Sequence, residues 1–503
     1  MSTEATGHIR GSTVFLAGRM ISLGLNLLTQ VLIVRALSKA DYGAFAYALA
    51  FVSAARTIVS LGHNQALTRF FALYEEERRY DKLFGTFVME TGTVLVTGLV
   101  LFLSVLGLKD ALTGTLVDDP DAMALLAILV LLAPLESLDR MFEGAFAVFA
   151  SPRAIFVRRY LFTPGLRLAV VAVALLGDRS VEFVAAGYVV TGAVGVAVYT
   201  FLLVGVLRNR GLLAHFNLRS MTMPFREVFR FALPLLSTEL VAISMTTVSV
   251  ALLGYFRDTE AVALYRAIYP AARLNQLVFF TFILLFVPLA THLYARGDRE
   301  GMRAAYWQTA AWLAVFTFPI FALTGPLAEP TTVTLFGERY QDSAPLLAIL
   351  ACGYYFSAAL GFNAMTLQIY GRLRYVLGVN FVTAVLNIAL SLALIPELGA
   401  TGVAIANAAA LVCQNVLFQA GLGRGIGVPL FEWRYARLYA VIVGVAGALA
   451  AVQLALGPPT VVAVLLAIVA SLTVLVVNRG LLELDATFPE LRRIPLLARL
   501  VQS

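Results

Sequence analysis

The chain has 503 residues, of which 60% are hydrophobic and only 13% charged, and it carries a formal net charge of +7. A soluble domain has about 25% charged residues, so a water-facing globule is excluded; the mean hydropathy of +0.85 points to a membrane protein instead. The basic excess does not point to nucleic acid either, because the arginines flank apolar runs rather than gather on one soluble face.

About 20 residues at 1.5 Å rise cross the hydrocarbon of a bilayer. Fourteen apolar runs meet that length, at 12–37, 41–62, 83–108, 122–149, 154–177, 181–207, 228–254, 261–291, 303–325, 343–369, 374–396, 400–420, 437–456 and 460–482. They leave no room for a soluble catalytic domain. The polar start Met1–Gly11 leads into a run too long for a signal-peptide core, so no cleavable signal is expected. Cys352 and Cys413 lie in apolar runs without a CxxC partner and are expected to be packing residues.

Lysine and arginine fall in alternate gaps between the runs. With the N-terminus inside, twenty-five of the 37 lie on inner segments, for example Arg69, Arg78, Arg79 and Lys82, or Arg208, Arg210, Arg219 and Arg226. Six lie outside: Arg35, Lys39, Lys109, Arg179, Arg257 and Arg339. This bias places both termini in the cytoplasm of a plasma (inner) membrane protein. It leaves Arg19, Arg56, Arg140, Arg167, Arg266 and Arg273 inside the spans. An intramembrane charge is costly and marks a cavity, a partner or a transport path.

In chain order, Arg19 enters span one and Arg56 nears the inner end of span two, where snorkelling to the surface is the competing explanation. Glu90, at the inner edge of span three, is expected to be solvated. The outer segment Asp118-Asp119-Pro120-Asp121 contains a DxD triplet and reads as an acidic turn. Span four carries Glu136, Asp139, Arg140 and Glu143 on one face, at spacings that let Arg140 pair with either glutamate. With three acids to one arginine, this face is a candidate ion-coupling site; the bland alternative is a polar seam against Arg167 of span five. Glu239 in span seven is a lone acid of the same kind. In span eight, Arg266 and Arg273 share a face, with Tyr269 between them and Asn275 beyond; Pro270 is expected to kink the helix there. Amides continue the polar set: Asn363, Gln368, Asn380, Asn387, Asn407, Gln414, Asn415 and Gln419 suit either sugar hydroxyls or helix–helix contacts. The sequence has no Walker loop, HExxH or GxSxG, and the four histidines lack ligand spacing. Neither a catalytic centre nor a cofactor or metal is expected.

The long inner loop 208–227 divides the chain into six spans and then eight. Weak echoes between the halves, such as Ala185-Ala186-Gly187 and Ala400-Thr401-Gly402, indicate parallel repeats of six spans with two appended. The expected domains are 1–227 and 228–420 as lobes, with 421–503 as an appendage and tail.

Three stretches resemble a known family. LSKADYGAFAY (37–47), LFGERYQDSAPLL (335–347) and LALIPELGATGVAIAN (392–407) are similar to blocks of polysaccharide-biosynthesis flippases of the MOP superfamily, which also holds the Wzx-type and peptidoglycan lipid flippases and the MATE drug exporters. The resemblance implies an all-α integral membrane fold of 14 transmembrane helices: two six-helix lobes in a MATE-like parallel repeat around a central cavity, plus two C-terminal helices. Tyr265-Arg266-Ala267-Ile268-Tyr269-Pro270 resembles an Arg-x-x-Tyr segment whose arginine lines the cavity in the peptidoglycan branch, making Arg266 the leading substrate contact. The implied substrate is a polyprenyl-diphosphate-linked oligosaccharide, flipped from inner to outer leaflet by alternating access, with Arg19, Arg266, Arg273, Tyr269, Asn275 and Asn363 lining the path. The expected partners are that lipid-linked glycan and membrane lipids, with a polysaccharide polymerase or co-polymerase as a further partner; the protein is expected to act as a monomer. The competing function is a MATE-like ion-coupled exporter of drugs or metabolites.

Overall fold

A computed structural model of the chain describes residues 3–60, 64–108, 119–149, 157–217, 219–232 and 243–483. Every regular element among these residues is a helix. Ten helices are long and apolar enough to cross a membrane: Lys39–Ser60, Tyr80–Gly107, Pro120–Phe149, Val181–Asn209, Arg299–Thr324, Glu338–Ile369, Leu373–Leu398, Ala400–Ile426, Trp433–Leu456 and Thr460–Leu482. An eleventh candidate is a bent pair, Thr259–Ile283 and Leu285–Ala295, and three shorter apolar helices occupy Met20–Ala36, Tyr160–Leu176 and Thr246–Phe256. Each apolar run of the sequence therefore has a helix at its position, although three are short of a full crossing within the described residues.

The outward faces show why these helices belong in lipid. In span three, Leu95, Val96, Leu99, Val100 and Leu103 are all more than half exposed. They recur at helical spacing and form one apolar stripe. Span fourteen repeats the pattern with Val461, Leu465, Ile468 and Val469. Stripes of this kind are incompatible with water at such density. In a bilayer they face acyl chains and cost nothing.

The chain forms two compact units, Met1–Ala263 and Leu264–Ser503. Span seven is tied to the first unit. Thr247 Oγ1 donates to the Ala50 carbonyl at 3.0 Å. Gly254 lies so close to Tyr47 that a Cβ there would sit 2.3 Å from the ring. Gly43 makes an equally close approach to the Thr259 backbone, with a Cβ only 1.9 Å from its carbonyl oxygen. Spans thirteen and fourteen are built into the second unit rather than appended to it: the indole N–H of Trp312 and the amide of Gln308 both donate to the Leu482 carbonyl at the end of span fourteen.

Two helical features differ from the sequence expectation. The segment between spans two and three contains an amphipathic helix, Asn64–Glu76, which buries Leu67, Phe71 and Tyr74. Span eight is a bent pair of helices, Thr259–Ile283 and Leu285–Ala295, with 49° between them, and it contains Pro288 as well as Pro270. Pro270 is accommodated inside the helix Thr259–Arg273, which ends in a 3-10 turn, Leu274–Gln276.

Candidate functional site

In the second unit, three turns of span eight stack charge on aromatic faces. Arg266 and Arg273, seven residues apart, both bring their guanidinium groups to the ring of Tyr269, at 5.7 and 5.8 Å from its centroid. Tyr269 in turn meets Tyr265 at 5.8 Å and the edge of Tyr354, from span ten, at 6.3 Å. Tyr265 is buried and held from behind, its hydroxyl accepting from Asn407 Nδ2 at 2.8 Å. Arg273 is exposed and makes no ion pair among the described residues. The result is a rigid tyrosine wall carrying two cations on one helix face. Each cation–π contact is worth about 0.5–1 kcal/mol when exposed and about 2 when desolvated, enough to help fix the guanidinium positions without cancelling their charge.

The amides beyond this face have structural employment. Asn275, expected to line the path, is fully buried in the 3-10 turn, and its Nδ2 donates to the Ala272 carbonyl and to Thr324 Oγ1. Asn363 is buried as well: its Nδ2 donates to Asn415 Oδ1 at 3.0 Å and its Oδ1 accepts from the Ala364 N–H. Both residues therefore satisfy helix breaks and helix–helix contacts rather than present amides to solvent. Gln414 pairs with Asn380, and Gln419 accepts from Tyr306.

The first unit holds the other intramembrane charges. Glu136 of span four is clamped by two arginines, accepting from Arg56 Nη1 and Arg167 Nη2 at 2.9 Å each. Ser137 adds a bond to the Arg56 carbonyl, and Arg167 also lies over the Tyr188 ring at 5.2 Å. The polar seam against Arg167 is thus present, and Arg56 reaches a partner eighty residues away instead of snorkelling. The two arginines cancel the formal excess of two negative charges on Glu136, Asp139, Arg140 and Glu143. Glu90, expected at a solvated edge, is fully buried. Asp119 is a helix cap: one carboxylate oxygen accepts from the Asp121 and Ala122 N–H groups, and the other from Thr259 Oγ1. Arg19 lies in the helix Thr3–Ala36, but its side chain is outside the described residues, as is all of Glu239.

The second unit also contains an apolar groove of about 1060 Å³, lined by Cys352, Phe356, Val416, Tyr439, Val443 and Leu454. It runs along span thirteen. The sequence alone did not show it, because a groove arises from neighbouring helices and not from any one of them.

The described residues form an all-helical, multi-pass arrangement, and the same fold occurs in solved membrane transporters. The lipid II flippase MurJ in an inward-closed conformation superposes with a TM-score of 0.73 over 93% of this chain and 99% of that one, at 14% identity. An inward-facing multidrug-resistance MATE transporter of the MOP superfamily superposes at 0.65, over 82% and 98%, at 15% identity. An uncharacterized membrane protein of Methanocaldococcus jannaschii is 20% identical over 416 residues, 79% of this chain and 80% of its own length. The sequence model of the family described as polysaccharide biosynthesis protein matches residues 9–293, more than half of the chain, and the protein belongs to that family.

Proposed function

We propose that the protein flips a polyprenyl-diphosphate-linked oligosaccharide from the inner to the outer leaflet, as a fourteen-span transporter with both termini in the cytoplasm of a plasma membrane. The observation that carries this reading is the pair of guanidinium groups mounted on Tyr269. A diphosphate leaving water needs charge-assisted donors to offset its desolvation, and Arg266 and Arg273 offer two on one face. Tyr265 and Tyr354 supply aromatic surface for sugar rings beside them. Arg19 is the proposed third cation, from the first unit. The prenyl tail needs no polar site, and the apolar groove along span thirteen has the chemistry to accept it.

Alternating access moves the head group between leaflets. An inside-negative potential favours outward movement of negative charge by about 2.3 kcal/mol per charge per 100 mV, so the substrate's own charge supplies a direction without a coupling ion. The span-four acids suit an ion-coupled cation exporter less well, because Arg56 and Arg167 balance them.

The test is glycan export in a host that lacks its own flippase and expresses the matching lipid-linked oligosaccharide. Arg266→Gln with Arg273→Gln is expected to reduce surface glycan at least about tenfold, since each charge-assisted bond contributes about 1.5–3 kcal/mol, with protein level unchanged. Export that survives the double substitution overturns the assignment.

A further inference from the structure

The second unit has a cleft of about 590 Å³ whose chemistry is unrelated to the arginine–tyrosine face. Three candidate spans meet there: Arg299–Thr324 and Trp433–Leu456 begin at it and Thr460–Leu482 ends at it. A cleft at three span ends lies at the level of the membrane interface.

Its walls are fixed. Trp312 and Gln308 are tied to the Leu482 carbonyl, and the Tyr435 hydroxyl donates to Gln308 Oε1. Trp307, only 1% exposed, packs nearly parallel to Tyr435, and its indole N–H has no hydrogen-bond partner. A buried donor left unpaired costs about 1–3 kcal/mol, and this one belongs to a residue lining the cleft.

The charges come in both signs. Arg303 places Nε and Nη2 on a single oxygen of Glu432, at 2.7 and 2.6 Å. Arg434 pairs with Glu483 through Nη2 at 2.7 Å. Both arginine side chains are about half exposed, at 49% and 57%, and a guanidinium has five N–H donors, so each keeps donors for a further anion. Glu300 also lines the cleft and has no ion-pair partner among the described residues. Two arginines against three glutamates leave the cleft net acidic. A purely anionic head group is disfavoured, and a ligand carrying a phosphate together with a cation is matched.

We infer that this cleft binds a phosphate ester bearing a primary ammonium, in the form of a zwitterionic phospholipid head group. The phosphate takes the spare N–H donors of Arg303 and Arg434, and the indole N–H of Trp307. The ammonium takes Glu300 and the second oxygen of Glu432, with Trp312 and Tyr435 as aromatic walls. Leu289, also lining the cleft, continues it toward the acyl region.

The experiment uses the full-length protein, purified in detergent and stripped of lipid. Native mass spectrometry then measures binding of phosphatidylethanolamine, phosphatidylcholine and phosphatidylglycerol, with free phosphoethanolamine as a competitor. Phosphatidylethanolamine is expected to bind about tenfold more tightly than phosphatidylglycerol, from one charge-assisted contact of about 1.5 kcal/mol. Phosphatidylcholine, whose ammonium has no N–H, falls between them. Glu300→Gln, at an exposed position, is expected to remove most of that preference while leaving the unfolding midpoint in lipid-free detergent unchanged. Trp307→Phe removes only the indole N–H and is expected to weaken binding about threefold. Equal binding of phosphatidylglycerol, or a preference untouched by Glu300→Gln, overturns the site. Displacement by equimolar free phosphoethanolamine overturns the assignment to a lipid and makes the soluble ester the ligand.

Discussion

The two units hold their intramembrane arginines in opposite ways. In the first, Arg56 and Arg167 close on one carboxylate, Glu136. In the second, Arg266 and Arg273 lie over the ring of Tyr269. A carboxylate consumes guanidinium donors and cancels charge, whereas an aromatic face holds the cation without cancelling its charge. The same residue type is thus paired with an acid in one unit and stacked on a ring in the other. The lesson is that an intramembrane arginine is read by what supports it, not by its presence.

The sharpest way to break this comparison is Glu136→Ala. Removing the shared acid leaves two facing cations, and breaking a buried pair costs about 3–5 kcal/mol. Because these side chains are about a quarter exposed, the lower end, about 3 kcal/mol, is expected as a loss of thermal stability in detergent. Stability that does not fall removes the structural half of the contrast. Tyr269→Leu tests the other half. It deletes the shared ring under two cations, worth about 1–2 kcal/mol of positioning. Export is expected to fall about tenfold while the unfolding midpoint barely moves, and Tyr269→Phe, which keeps the ring, is expected to retain most export.

How much of this was legible in the sequence follows from the range of each signal. The positions of the spans were, because a run of about twenty apolar residues is a local property. So was the shared face of Arg266, Tyr269 and Arg273, which helical spacing alone dictates. The Glu136–Arg167 seam was visible as an alternative; the Arg56 arm of it was not, because spacing within a helix says nothing about which residue of another helix arrives opposite. The burial of Glu90 escaped for the same reason. The bend of span eight was expected at Pro270, but Pro288 lies in the same run; both prolines remove a backbone bond, so the local sequence does not choose between them. Asn275 and Asn363 were read as path-lining because an amide in a membrane helix serves sugars and neighbouring helices equally well.

Asn275 sharpens that last point. Asn275→Ala removes the bonds to the Ala272 carbonyl and Thr324 Oγ1 and is expected to cost about 1 kcal/mol of stability, read as a lowered unfolding midpoint, with export per folded molecule unchanged. A selective export defect instead would return Asn275 to the transport path.

The smallest effect concerns a charge outside the spans. Glu227 accepts from Lys82 and from the Tyr74 hydroxyl at 2.8 Å, joining the first unit's amphipathic helix Asn64–Glu76 to the segment that leads into span seven. These bonds hold its carboxyl below the ordinary range, the Lys82 bond most of all, while burial pushes the Tyr74 hydroxyl upward and keeps it a donor. A carboxyl with a depressed folded-state pKa contributes stability that is fully present above its unfolded value and is lost as the pH falls through the lower folded value. Acidification from neutrality past the ordinary carboxylate range is therefore expected to lower the unfolding midpoint through this contact, and Glu227→Gln to make that acid limb shallower while lowering the plateau at neutral pH. Because the glutamate side chain is half exposed, solvent screens the pair and the change is small. Its value lies in its contrast with Glu136: both are carboxylates bound by basic side chains in the first unit, but Glu227 lies outside the spans with half its side chain exposed, against about a quarter for Glu136, so solvent screens its contact more.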